Sequence, residues 1–186
     1  MDRYLDIEIL PDPEFPAHQL MDALFAKFHR HLALLQMTGI GVSFPQVDEK
    51  KPTLGRLLRL HGNESDLALL MAQEWLMGMR DHIHVKGVSA VPVDVEYRQV
   101  RRVQAKSNPD RVRRRQMRRH GWTDEEARSR IPDTARETLK LPFLNIGSKS
   151  TGHRFPLFIE HRPALGPAVG PFNAYGLSQS ATLPWF

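Results

Sequence analysis

The 186 residues include no cysteine, so the chain has no thiolate nucleophile, no zinc–thiolate site and no disulfide. Acid–base or nucleophilic work must therefore fall to histidine, serine, tyrosine, lysine or a carboxylate. Histidine suits proton transfer near neutrality, and there are nine. In AHQLMDALFAKFHRHLALLQ, residues 17–36, Leu20, Leu24, Phe25, Phe28, Leu32 and Leu35 share one helical face. His31 falls within that apolar arc and His29 at its edge, a position open to a base but more often held by an ordinary surface or capping histidine. Ser148 and Ser150, in the polar loop SKSTGH, have the setting of turn residues. Tyr175 reads as a packed strand aromatic and Phe155 as hairpin core. Asp81, His82 and His84 in DHIH are ligating types, but they lack a further spaced ligand, so no metal is expected there.

A second kind of chemistry is concentrated in RQVRRVQAKSNPDRVRRRQMRRHGW, residues 98–122. From Arg98 to Arg119 there are ten cationic residues and one acid, Asp110, a net +9 in a chain of +5, so the remainder carries −4. Ser107 or Asn108 can cap a helix, Pro109 suits its first position, Asp110 favours its dipole and Gly121 its left-handed exit. On that helix, residues 109–120, Arg111, Arg114, Arg115, Arg118 and Arg119 fall within an arc of roughly 140°, with Arg113 out of line. A solvated face normally mixes signs so that neighbours attract. Like charges here repel, which favours a polyanionic partner over an acidic protein, a membrane surface or plain solvent. The preference for Arg over Lys favours bidentate contacts to phosphate or guanine. A short RNA hairpin is the natural ligand, since the deep groove of duplex RNA admits a helix only by long side chains, near a stem end or loop.

The elements that must position these residues follow from periodicity. YLDIEIL alternates like a half-buried strand, with Asp6 and Glu8 on the outer side, and Pro11, Pro13 and Pro16 end it. After the 17–36 helix come strands near 39–45 and 55–62, a helix through LALLMAQEWLMGM capped by Asn63 or Ser65, and an extended VPVDVEYRQV. The order predicts an α+β fold: a ferredoxin-like (RRM-like) βαββαβ domain over 1–97, a four-stranded antiparallel sheet with two helices on one face. Residues 98–186 form a smaller lobe: the arginine helix, a short helix with capping-box spacing at Thr123 and Glu126, helical PDTARETLK, a hairpin around SKSTGH, and a last strand or two in FNAYGLSQSATLPWF. No run nears the roughly 18 apolar residues of a membrane span, and MDRYLDIEIL lacks the apolar block of a signal peptide, so a soluble, cytoplasmic protein is expected.

YRQVRRVQAKSNP with RRRQMRRH, the SKSTGHRF loop, the terminal YGLS and PWF, and the N-terminal YLDI and PDPEFP resemble the subtype I-F CRISPR repeat-processing endoribonuclease family across essentially the whole chain. The resemblance implies cleavage of the CRISPR repeat hairpin at the 3′ base of its stem, to release guide RNAs, by an enzyme that stays on its product. It implies metal-independent catalysis without a cofactor, using His29 and Ser148, with Ser150 and Tyr175 lining the active site. By the same resemblance Arg102 and Gln104 read bases at the bottom of the stem, and Phe155 stacks under the terminal pair. Ser107, Arg111, Arg114, Arg115, Arg118, Arg119 and His120 complete the RNA-binding set. Implied partners are the repeat RNA, precursor and mature, and the other subunits of the subtype I-F surveillance complex, with no membrane. The competing readings are a catalytically inactive hairpin binder and a ferredoxin-like DNA-binding regulator.

Overall fold

Alternating apolar residues at the start of the chain become strand β1, Arg3–Ile9, in a computed structural model that describes residues 1–48, 50–104, 109–132, 139–147 and 152–186. Helix α1, Ala17–Leu35, follows the PDPEFP segment, which Asp12 folds by accepting from the Glu14 and Phe15 amides at 2.8 Å each. Strands β2, Gly41–Ser43, and β3, Leu57–Gly62, precede helix α2, Glu64–Met71, whose cap is Asn63 accepting from the Asp66 amide at 2.7 Å. The expected extension of this helix through Met79 is not present. Gly78 has a left-handed φ of 76°, and Trp75 and Met79 are buried by a series of turns instead.

A short 3-10 turn at Arg80–His82 leads to β4, Ile83–Val85, and then β5, Ser89–Ala90. Both pair antiparallel with β1, Ile7 facing Val85 and Arg3 facing Ala90, and the sheet order is β2-β3-β1-β4. The strand that completes the first sheet is thus residues 83–85, not VPVDVEYRQV. The second half of that run instead begins β6, Glu96–Val103, in a second antiparallel sheet with β7, Phe143–Gly147, β8, Arg154–Ala164, and β9, Leu183–Trp185, in the order β7-β8-β6-β9. Pro92 and a left-handed Asp94, φ 57°, turn the chain out of the first sheet just before β6. Its Val-rich composition marked this run as extended but carried no information on which sheet it joins.

The outer side of β1 is not solvated as expected. Asp6 is 5% exposed and forms a two-pronged ion pair with buried Arg59, at 2.7 and 2.9 Å. Arg59 also donates to the Phe186 carbonyl at 2.7 Å and lies 3.9 Å from that ring's centre. All six residues of β3 are buried because C-terminal residues cover its second face. One hydrophobic core joins Leu5, Ile7, Leu24, Phe25 and Phe28 to Leu144, Leu157 and Ile159 of the second sheet.

Both sheets fall in one compact unit, residues 1–103 with 141–186, and residues 104–140 form another. In the latter, α3, Pro109–His120, ends at Gly121 with φ 67°, and α4, Asp124–Arg130, begins with the full Thr123–Glu126 capping box. Both agree with expectation, whereas the helix expected in PDTARETLK lies almost wholly outside the described residues. The C-terminal segment supplies one strand only; FNAYGLS forms a turn.

Candidate active site and nucleic-acid interface

Four expected site residues from distant parts of the chain come together in the first unit. His29 sits one turn and a half before the end of α1, partly buried, and its Nδ1 donates to the Ala174 carbonyl at 2.7 Å. A carbonyl oxygen has only lone pairs, so the neutral imidazole must carry its proton on Nδ1 and leave Nε2 as the acceptor. That is the tautomer a base requires. Tyr175 stacks on the imidazole with ring centres 4.0 Å apart and planes at 13°, which fixes its orientation.

Tyr175 is seated by a turn, not by a strand. Asn173 Oδ1 accepts from the Tyr175 amide at 2.8 Å, the Asn173 carbonyl accepts from the Gly176 amide at 2.8 Å, and the Val42 amide at the edge of the first sheet donates to the Gly176 carbonyl at 2.9 Å. Gly176 has φ 69°, and a Cβ there would stand 3.1 Å from both Phe28 and Val42. The Asn-X-X-Gly pattern is a turn signal that the strand reading passed over. Asn173, Ala174 and Gly176 are site residues that the sequence reading missed.

On the second sheet, Arg102 of β6 and Ile159 of β8 are register partners, so Arg102 shares a face with Phe155, Leu157 and Ile159. The Arg102 guanidinium lies 5.6 Å from the centre of the Phe155 ring and 5.9 Å from that of Tyr175. Its carbonyl accepts from Gln179 at 3.3 Å. Phe155, Arg102, Tyr175 and His29 therefore form a continuous run of flat groups, a surface suited to a base, with a proton acceptor at one end.

The second unit carries the cationic face. Arg111, Arg114, Arg115, Arg118, Arg119 and His120 are all exposed on α3. Arg113, the residue out of line, is buried; it ties α3 to the end of α4 by donating to the Ile131 carbonyl at 2.8 Å, and within α3 it also donates to Asp110 at 3.1 Å. His120 stacks on Trp122, whose ring also lies 4.5 Å from the Arg130 guanidinium. Gln104 is exposed at the start of this unit. Ser107, Ser148 and Ser150 lie outside the described residues. His82 of DHIH donates from Nδ1 to Asp12 at 2.8 Å, which occupies it in the fold of the PDPEFP segment.

Residues 4–186 match the family described as CRISPR-associated protein (Cas_Csy4). The chain is 52% identical, over the full length of both, to the CRISPR-associated endonuclease Cas6/Csy4 of Pseudomonas aeruginosa (strain UCBPP-PA14). It is 46% identical, again over both full lengths, to the protein of the same name from Escherichia coli (strain UTI89 / UPEC). With nearly every residue inside the family match and two full-length relatives at this identity, the chain belongs to the Cas_Csy4 family of CRISPR-associated proteins.

Proposed function

We propose that the protein is a subtype I-F CRISPR repeat endoribonuclease that cuts the repeat hairpin at the 3′ base of its stem, needs no metal, and stays on the guide RNA it releases. The observation that carries the reading is the convergence of His29, Tyr175, Arg102 and Phe155, from four separate elements, beside a proton-accepting Nε2. RNA brings its own nucleophile. His29 takes the proton from the 2′-hydroxyl, the 2′-oxygen attacks the adjacent phosphorus in line, and the bond to the 5′-oxygen breaks. The products are a 2′,3′-cyclic phosphate and, once the leaving oxygen is protonated, a 5′-hydroxyl.

In this reading Ser148 and Ser150 hold the ribose, Tyr175 orients the imidazole, and Phe155 stacks under the terminal base pair. Arg102 and Gln104 read the stem base, while Ser107 and the arginine face with His120 grip the phosphates and groove. The strand order β2-β3-β1-β4 with intervening α1 and α2 supports a ferredoxin-like first domain. The proposed division at 97/98 falls within β6, two residues after the chain has entered the second sheet, and the compact unit that carries the arginine helix begins at residue 104. The repeat RNA and the other subunits of a surveillance complex are the partners, in the cytoplasm.

The test is to incubate the protein with a repeat hairpin in EDTA and separate the products on a denaturing gel. Cleavage that a single 2′-deoxy substitution upstream of the scissile phosphate abolishes is expected. An RNA left intact would overturn the enzymatic reading in favour of a hairpin-binding protein without turnover.

A further inference from the structure

Going back along α1 from His29 at helical spacing, Ala26, Ala23 with Asp22, and Gln19 with His18 follow on one strip of the surface. Ala26 and Ala23 carry no side chain beyond a methyl group, which leaves this strip low. His18, Asp22 and Ala23 of this strip line a cavity of about 500 Å³ together with Phe15, His82, Asn145 and Arg154. Seven residues separate Asp22 from His29, about 10 Å along the helix axis. That is the range of the first nucleotides beyond a phosphate held at His29. The cavity also falls within the roughly 300–1,000 Å³ of small-ligand sites.

Its groups have complementary chemistry. The Asp22 carboxyl is buried, and its Oδ1 accepts from the Asn145 amide at 2.9 Å. Burial pushes this carboxyl up from the usual range, opposed by the hydrogen bonds of Asn145 and the nearby charges of His18 and Arg154. Arg154 is exposed at the start of β8. Phe15 is 44% exposed and meets His82 edge to face, ring centres 5.8 Å apart, while Asp12 accepts from that histidine's Nδ1. An exposed ring offers a stacking surface, a carboxylate accepts from a base amino group, and a guanidinium grips a phosphate.

We infer that this cavity is a subsite for the nucleotide on the departing side of the cut, its base against Phe15, its amino edge toward Asp22 and its phosphate on Arg154. The inference rests on the endoribonuclease reading, since only a chain that cuts has a departing side. Contacts there act before the cut and vanish after it, because the retained hairpin no longer contains those nucleotides. The subsite therefore favours cleavage without strengthening product binding, and it lets the spent flank leave.

The experiment compares a repeat hairpin carrying a 3′ flank, the same RNA with abasic sites in the flank, and the hairpin ending at the cut. Arg154→Ala and Asp22→Asn, the latter keeping an acceptor for the Asn145 amide, should each slow single-turnover cleavage of the flanked RNA by roughly tenfold. Abasic flanks should slow the parent and largely remove the additional effect of Asp22→Asn. Affinity for the hairpin ending at the cut, and the melting temperature of Arg154→Ala, should match the parent. Equal cleavage of all flanks by parent and variants would overturn the subsite, as would an equal loss of product affinity. Failure of the parent to cut any RNA would overturn the enzymatic reading and the subsite with it.

Discussion

The Ala174 carbonyl decides what His29 is able to do, because it leaves the imidazole a single nitrogen with which to take a proton. His29→Ala is expected to bind the hairpin with the parent's affinity and to leave it uncut, which a gel-shift titration beside a cleavage assay would check. Weakened binding comparable to the loss of an arginine would contradict a purely catalytic role. Tyr175 contributes through its ring face, stacked 4.0 Å from the imidazole. Tyr175→Phe should therefore retain most of the cleavage rate, and Tyr175→Ala should lose it by tenfold or more, since an imidazole without its stacking partner is free to rotate away from the scissile phosphate. Of these residues, His29 was legible as a boundary histidine from the spacing of apolar residues, but its role came only through resemblance. The tautomer was not legible at all. It depends on a carbonyl 145 positions along the chain, and no local pattern encodes such a partner.

The elements explain which expectations held. The arginine helix carries its own boundaries, Pro109 at the start and Gly121 at the end, and it runs over the expected residues. Arg113 stood out of line in the sequence, and the structure gives the reason: it faces α4. The fourth strand of the first sheet was misread because two short strands, three and two residues long, share the edge of β1, and segments of that length carry no readable alternation. The turn at residues 173–176 depends on Gly176, so Gly176→Ala should cost about 1 kcal/mol or more in a denaturant titration, through its left-handed φ and the crowding by Phe28 and Val42. It should also slow cleavage, because the turn carries Tyr175. Two histidines are buried in the sheets, His61 on β3 and His161 on β8. Burial, then Arg59 and the N-terminal amine, lower His61 to about 3; burial, then Arg98, lower His161 to about 4. The unfolded chain protonates both near 6.5, so between that pH and their folded values the unfolded state binds more protons. This contribution to stability is complete above about 6.5 and falls as the pH drops toward the folded values. Both His161 nitrogens are buried without a partner among the described residues, and its ring packs near Phe44 and Trp185. His161→Phe should therefore reduce the loss of stability on the acid side, His61 supplying the remainder, at little cost at pH 7.5, as urea titrations at pH 4.5 and 7.5 would show.

For the whole molecule, charge is confined: residues 98–119 carry +9 and the rest −4. Long-range attraction of RNA then belongs to one segment, and affinity should fall steeply with salt. Arg115→Ala should weaken hairpin binding and lower the slope of log affinity against log salt by about 0.7–1, whereas Arg113→Ala should act mainly through loosening of α3 against α4. An unchanged dissociation constant for Arg115→Ala would remove it from the interface. This global asymmetry was fully readable from composition, because charge position along the chain needs no knowledge of the fold.

Residues 172–185 reach every part of the first unit in turn: Phe172 bonds to Thr38, Gly176 to Val42, Ser178 to Val100, and β9 closes the second sheet on β6. The histidine near position 30 thus acquires its orienting carbonyl and its covering ring only when a segment some 145 residues downstream arrives. Contacts so distant in sequence make for slow assembly. If the proposed function holds, synthesis exposes the arginine segment, the proposed RNA grip, well before His29, the proposed base, acquires its partners. A ribosome-bound nascent chain stalled before residue 172 would capture the transcript without cutting it, and competence would switch on only as the last segment is added.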